Sequence, residues 1–264
     1  MLAMCLIPAA GAAEVKPETV QAWDGYVHTV TAQMQERLAP DHCYLWVDEI
    51  PGGARQLRAG KILVAPVKEQ PRHVPSGLIH HWIGAVFIPD ARLEDIAGVL
   101  RDYDHYKDFY SPYVLEAKLL QRDGSRDDFA VVLMNKAVLV KTAVDGDYQS
   151  RYFPVDPHRA YSISKATRLQ QVENYGQTTQ HKLAEDAGSG YLWRLASVTR
   201  WEERDGGVYL EVEALALSRD IPQAFRWFVE PIVRRLSRNS VQTSLHQTRH
   251  AVNISSTSVA AAGR

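Results

Sequence analysis

Apolar positions along the 264-residue chain recur with two different periods. From Pro17 to Leu38, the residues Val20, Trp23, Val27, Val30, Met34 and Leu38 fall at spacings of three and four, which predicts an amphipathic helix ended by Pro40 and Asp41. The stretch from Pro51 to Gly77 is rich in Gly and Pro with one strand-like run, Lys61 to Val67, and reads as a connecting arm. GLIHHWIGAVFIP, residues 77 to 89, has the β-branched and aromatic content and the Gly and Pro boundaries of a strand. Asp90 is a plausible cap for a helix carrying Leu93, Ile96, Ala97 and Leu100 inward, and DYDHYKDFYSP forms a second short helix before Pro112. Six strand-like segments follow, at about 114 to 123, 128 to 135, 138 to 153, 158 to 169, 190 to 203 and 207 to 217. Turn signals such as Asp123-Gly124, Asp145-Gly146 and Asp205 to Gly207 punctuate them. Asn135-Lys136 interrupts an apolar run and reads as a turn, with a polar pair touching a ligand as the alternative.

The chain then closes with a helix from about 221 to 249, capped by Asp220, with Pro222 in its first turn. Phe225, Phe228, Val229, Ile232, Val233 and Leu236 form one continuous apolar face, yet Pro231 sits among them at a cost of about 3 kcal/mol. Consecutive strands on short turns pair antiparallel, and a seven-stranded sheet curls, so its concave side needs a cover. The expected fold is α+β: a curved seven-stranded antiparallel sheet, two short helices after the first strand, and the long terminal helix across the concave face. A kink at Pro231 would let that helix follow the curve.

Whether the space beneath is hollow or filled turns on side-chain size. Leu210, Val212, Ala214 and Ala216 share one face of the last strand, while Tyr209, Glu211 and Glu213 share the other, expected to be wet. On the preceding strand Trp193, Leu195, Ser197, Thr199 and Trp201 put aromatic rings and hydroxyls together. Small and mixed residues facing inward suit a ligand cavity; close helix packing in a solid core is the competing explanation.

Composition narrows the classes. Thirty basic against 31 acidic residues, a formal charge of -1, give no field to gather nucleic acid, and none is expected as a partner. MLAMCLIPAAGAA, residues 1 to 13, has the apolar run and A-x-A-like end of an export signal without its basic start, so a periplasmic or secreted location is expected. Cys43 would then be alone, with no intramolecular disulfide.

With the element order in place, three stretches carry a resemblance: residues 77 to 120, residues 190 to 217, and the long helix after Ser218-Arg219-Asp220-Ile221-Pro222. The chain resembles the SRPBCC superfamily, also called START-like or Bet v 1-like, across about residues 77 to 250. Residues 14 to 76 lie outside it as an N-terminal helix and arm, and 251 to 264 read as a disordered tail. The resemblance implies a helix-grip domain whose relatives bind lipids, sterols, quinones or polyketides, a minority being cyclases or hydrolases.

The expected cavity lining is His80, Trp82, Tyr106, Tyr110, Trp193, Leu195, Val212, Ala214, Ala216, Phe225, Phe228, Val229 and Ile232. His80 and His81 point to opposite faces of a strand, so they cannot share a metal; His80 is either a hydrogen-bond donor to a ligand or a satisfied core histidine. The tyrosines of residues 103 to 113 suit a ligand mouth or simply seat the helices on the sheet. No nucleophile elbow, phosphate loop or cofactor motif is present. Arg226, Arg234, Arg235 and Arg238 form a solvated face of the last helix or, with Trp227, a transient contact to an anionic membrane. The reading favoured is non-enzymatic binding or transfer of a hydrophobic small molecule. A cyclase-type enzyme using His80, Tyr106 and Tyr110, and a partner-binding domain with a filled core, are the alternatives.

Overall fold

The computed structural model describes residues 14–135 and 142–262. The signal-like segment 1–13 and Lys136 lie outside them. Helix α1 (Pro17–Glu36) is followed by a single tight turn at 46–49 and by α2 (Gly53–Arg58). Strands β1 (Leu63–Pro66), β2 (Arg72–Val74) and β3 (Gly77–Pro89) come next, then α3 (Leu93–Leu100) and α4 (Tyr106–Phe109). The chain continues through β4 (Val114–Asp123), β5 (Arg126–Asn135), β6 (Thr142–Asp156), β7 (Arg159–Glu173), β8 (His181–Lys182), β9 (Arg194–Arg204) and β10 (Gly207–Arg219). Helix α5 (Arg226–Ala262) ends it.

All the described strands join one antiparallel sheet in the order β1-β3-β10-β9-β7-β6-β5-β4, with β2 on β3 and β8 on β7. Bulges at Leu119/Gln121 in β4 and at Thr167 in β7, opposite Asp147/Tyr148, bend it, since an extra residue on one strand raises the local twist. The architecture is a helix-grip fold, as the sequence predicts, with a sheet of ten strands in place of seven. The three additional strands are short: β1 and β2 come from the arm, which is therefore part of the sheet, and β8 is a two-residue edge.

The pair β3–β10 runs in unbroken register from Gly77↔Arg219 to Pro89↔Gly207, and it is buried on both faces. Even-numbered residues of both strands face α5: Trp82, Val86, Ile88, Val208 and Leu210 pack with Val241, Leu245, Ala251 and Val252. Gly84 fixes how close that helix comes, because a Cβ there would lie 2.8 Å from both Val241 and Leu245. Only a residue without a side chain admits the helix at this distance.

Odd-numbered residues face the other way, and here an expectation fails. Tyr209, Glu211 and Glu213 are not wet; all three are buried beneath α1 and the turn at 46–49. Trp23, Val30 and Met34 of α1 join Leu45, Val47, Ile79, Phe87 and Val198 in a second apolar core on the convex side. Arg200 threads through it, donating from Nε to Glu211 and from Nη2 to Glu213, both at 2.8 Å. Glu211 also accepts the Val47 backbone N–H at 3.2 Å. His81 bonds Glu213 at 2.8 Å through Nε2 and the Tyr26 hydroxyl of α1 at 2.8 Å through Nδ1. Burial works against both carboxylates and leaves the Glu211 pKa raised; at Glu213 the His81 bond and the Arg200 guanidinium outweigh it and hold the pKa at about 2.

Four local expectations are corrected. Asp145-Gly146 is no turn but the interior of β6, where Gly146 makes room for Leu169 and the Tyr148 ring. Asp90 takes a left-handed φ of 60°, and α3 is capped two residues later, at Arg92, with Asp95 accepting from the Arg92 backbone N–H at 2.9 Å. The terminal helix passes residue 250 without a break, so 251 to 262 is helix in place of the expected tail, and its Ala251 and Val252 are buried in the core beside β3 and β10. Trp193 precedes β9 and turns into the convex core, away from the concave face expected for it.

Because Arg200 pairs with two buried carboxylates, replacing it by a neutral chain of similar volume leaves Glu211 without its guanidinium and Glu213 with His81 alone. Arg200→Met is expected to cost about 3–5 kcal/mol of stability, read as a lower urea midpoint at neutral pH.

Candidate ligand cavity

Beneath the second half of α5 lies a cavity of about 340 Å³, partly open to solvent. Its floor is the concave face of β6, β7, β9 and β10, contributing Ser150, Ser162, Ser164, Leu195, Ser197, Thr199, Leu210 and Val212. Its roof is one side of α5: Ser240, Thr243, Ser244, Gln247 and Thr248. Tyr106 from α4 and Tyr110 just after it, with Tyr113, Val114, Phe129, Val131, Tyr148 and Tyr152, make the wall. The hollow exists because floor and roof carry small side chains that do not meet across the space, whereas the neighbouring Trp82–Val241–Leu245 region is filled by large ones.

The wall is held from behind. Asp127 is fully buried and receives two bonds from Arg101, at 2.9 and 2.7 Å, and two from Arg122, at 2.8 and 3.0 Å. Burial alone would raise its pKa, but the two guanidiniums reverse that and keep the carboxylate charged. The Tyr103 hydroxyl donates to Asp127 at 3.1 Å and meets the Tyr152 hydroxyl at 2.8 Å, while Tyr103 stacks on Phe129 with centroids 4.1 Å apart. Tyr106 donates to the Leu100 carbonyl at 2.6 Å. The roof is tied to the wall by Tyr110 and Thr248 hydroxyls at 3.1 Å and by Gln247 Nε2 donating to the Ser111 carbonyl at 2.6 Å. Burial pushes the Tyr110 phenol up to about 12 and the Tyr106 phenol well above its usual range, so both stay protonated donors at neutral pH.

Of the residues expected to line the cavity, Tyr106, Tyr110, Leu195 and Val212 do so. His80 and Trp82 face the concave side but belong to the packed region beside it. The His80 ring bonds Ser218 Oγ at 2.9 Å, and burial lowers its pKa to about 4, so it is a satisfied neutral core histidine. Ala214 and Ala216 pair across the sheet with Trp82 and His80, where their small size admits those rings and leaves no hollow. Phe225, Phe228, Val229 and Ile232 are the larger correction. The stretch that holds them does not cover the sheet: Phe225 is 41%, Phe228 40% and Ile232 56% exposed, and Trp227 between them is 80% exposed. Val229 is half-buried and Pro231 exposed, so the proline accommodates no curve of the sheet beneath it.

The true roof was readable in a different signal. From 240 onward the helix has few large apolar residues, but Ser240, Thr243, Ser244, Gln247 and Thr248 recur at spacings of three and four beside Val241 and Leu245. A polar stripe next to a buried one marks the side that faces a partly polar space.

A second hollow, a groove of about 830 Å³, runs on the convex face between α1 and strands β6, β7 and β9. Trp23, Val27, Val30, Phe153, Ile163 and Val198 are among its apolar lining, with Arg151 and Lys165 on its sheet side. Among the described residues no group of three or more His, Cys, Asp or Glu is placed to hold a metal ion.

No protein-family model matches the chain, and no curated protein matches it at a significant level. Solved structures do resemble it in shape. A STAR-related lipid transfer protein from Xanthomonas axonopodis is 16% identical with a TM-score of 0.47, the match covering 72% of this chain and 98% of that one. The human StarD13 lipid transfer and protein localization domain is 9% identical with a TM-score of 0.43, over 76% of this chain and 94% of that one. The Zhui aromatase/cyclase of a Streptomyces species is 13% identical with a TM-score of 0.41, over 66% and 96%.

Among the described residues, the Tyr110–Thr248 and Gln247–Ser111 bonds tie the roof to the wall. Tyr110→Phe combined with Gln247→Ala removes both, and release of a bound hydrophobic dye such as Nile red is expected to speed up about 5- to 10-fold in stopped-flow measurements, with little change in melting temperature.

Proposed function

We propose that this protein binds and transfers a hydrophobic small molecule held between the concave face of the sheet and the second half of α5, without catalysing its conversion. The observation that carries the reading is the 340 Å³ cavity itself, with a largely apolar and aromatic wall and scattered hydroxyls. Such a lining binds by removing apolar surface from water, at roughly 25 cal/mol per Å², and needs no reactive group. Among the described lining residues there is no His, Asp, Glu, Lys or Cys to move a proton or attack a bond, and burial keeps the lining tyrosines protonated. That weighs against the cyclase alternative, in which His80 would act; His80 is bonded to Ser218, away from the cavity. A filled core, the third alternative, does not fit the open space.

The exposed half of α5 supports transfer in addition to binding. Trp227, Phe228 and Ile232 stand out into solvent directly ahead of the roof, and Arg234, Arg235 and Arg238 are exposed beside them, with Glu230 as the one acid between 221 and 240. Aromatic rings flanked by arginines suit the interface of an anionic bilayer, where rings sit at headgroup level and guanidiniums meet phosphates. Among the described residues no helix is long and apolar enough to cross a membrane. Contact at such a surface would put the cavity where its cargo enters and leaves, in the periplasmic or secreted setting we infer for the chain.

Val212→Phe fills the hollow from its floor; it is expected to abolish Nile red binding while the melting temperature stays within a few degrees, and full binding by a folded variant would end the carrier reading. Trp227→Ser with Phe228→Ser is expected to reduce cosedimentation with phosphatidylglycerol-containing vesicles about 10-fold or more, leaving dye binding in solution intact.

A further inference from the structure

The chemistry of the lining says more about the cargo than that it is apolar. Among the described residues lining the cavity there is no charged side chain at all, of either sign. A carboxylate or phosphate brought inside would find no cation among the described lining residues, and burial would drive it to its protonated form or exclude it. The cavity does hold hydrogen-bonding groups without partners. The Tyr148 hydroxyl is buried in the wall and bonds to nothing among the described residues, an uncommon state for a buried polar atom. Burial, the larger effect, and the carboxylates of Asp145 and Asp147 hold its pKa far above neutral, so it is a proton donor awaiting an acceptor.

A second set lies on the floor. Ser162 and Ser164 of β7 stand directly across from Thr199 and Ser197 of β9, forming a compact four-hydroxyl patch. None of these four hydroxyls has a hydrogen-bond partner among the described residues, and all line the cavity. Hydroxyl groups both donate and accept, so the patch satisfies a neutral carbonyl or alcohol equally well but offers an anion no compensating charge.

Building on the carrier reading, we infer that the cargo is a neutral ring compound bearing carbonyl or hydroxyl oxygens, oriented by Tyr148 and by the Ser162–Ser164–Ser197–Thr199 patch. Free fatty acids and phospholipid headgroups do not belong inside. The volume agrees: 340 Å³ is near the lower end for ligand pockets and suits a compact ring system better than a two-chain lipid.

Three probes of equal ring size separate the terms: dimethylnaphthoquinone, dimethylnaphthalene and naphthoate, each titrated against Nile red bound to the full-length protein. The quinone is expected to displace the dye at a concentration about 10-fold below the hydrocarbon and at least about 10-fold below the carboxylate. Tyr148→Phe is expected to weaken the quinone about 5- to 10-fold and leave the hydrocarbon unchanged. It removes a hydroxyl that holds nothing in place, so the fold is not at stake, and Ser197→Ala with Thr199→Val tests the floor independently. Equal displacement by quinone and hydrocarbon, displacement by naphthoate at the quinone's concentration, or a quinone response that neither variant moves would each overturn the inference while the carrier reading stands. Failure of Nile red and of all three probes to bind would bring down both.

Discussion

The distance between the terminal helix and the sheet is set at one point, Gly84. Val241 and Leu245 press onto the backbone of β3 where a methyl group would already be too close, so the helix is seated against the sheet there and nowhere nearer the β6 side. From that seat α5 passes over β9 and β7 at the height its short serine and threonine side chains leave open, and the cavity is the space that results. Had the contact at position 84 been made by a large residue, the helix would ride higher, and the Thr248 hydroxyl and the Gln247 amide of the roof would lose Tyr110 and Ser111 as partners. One missing side chain thus decides both the anchorage and the hollow.

The same strand pair carries a second duty on its other face. The N-terminal segment of this chain is not an appendage to the sheet; it buries the convex side of β3 and β10, and the interface contains Arg200, Glu211, Glu213 and His81 with Tyr26 from α1. Ionic groups at such depth are held by geometry more than by net gain, since most of their mutual attraction offsets lost hydration. What they do provide is a fixed seating for α1: the Tyr26 hydroxyl finds a ring nitrogen at 2.8 Å only in one docking of the helix. The protein is therefore three layers, helix, sheet and helix, with a rigid middle strand pair between them.

Much of this was readable from residues alone. Strand β3, the two short helices, the antiparallel run and the long terminal helix follow from alternation, turn residues and length, because those signals are local. The opposite facing of His80 and His81 followed from strand geometry in the same way. What failed were statements about which surface covers which. An apolar helical face such as Phe225, Phe228 and Ile232 looks alike whether it meets a sheet or solvent, and only the position of Gly84 shows that the seat lies farther along the helix. Likewise Glu211 and Glu213 read as wet because carboxylates usually are; their partner Arg200 lies on the neighbouring strand, opposite Glu211, at a sequence separation that no spacing rule links. The serines and threonines of the roof were visible as a stripe, but their meaning depended on knowing what lay opposite.

One consequence follows from the two hollows taken together. The concave cavity and the convex groove both reach Ser164, Leu195 and Ser197, so that stretch of β7 and β9 has open space above and below it. Here the sheet, held by its ladder bonds and by Ile163, Ala196 and Val198 packed into the convex core, is all that separates the two spaces. The cavity and the groove therefore share a wall, and a substitution at Ser164, Leu195 or Ser197 touches both spaces at once.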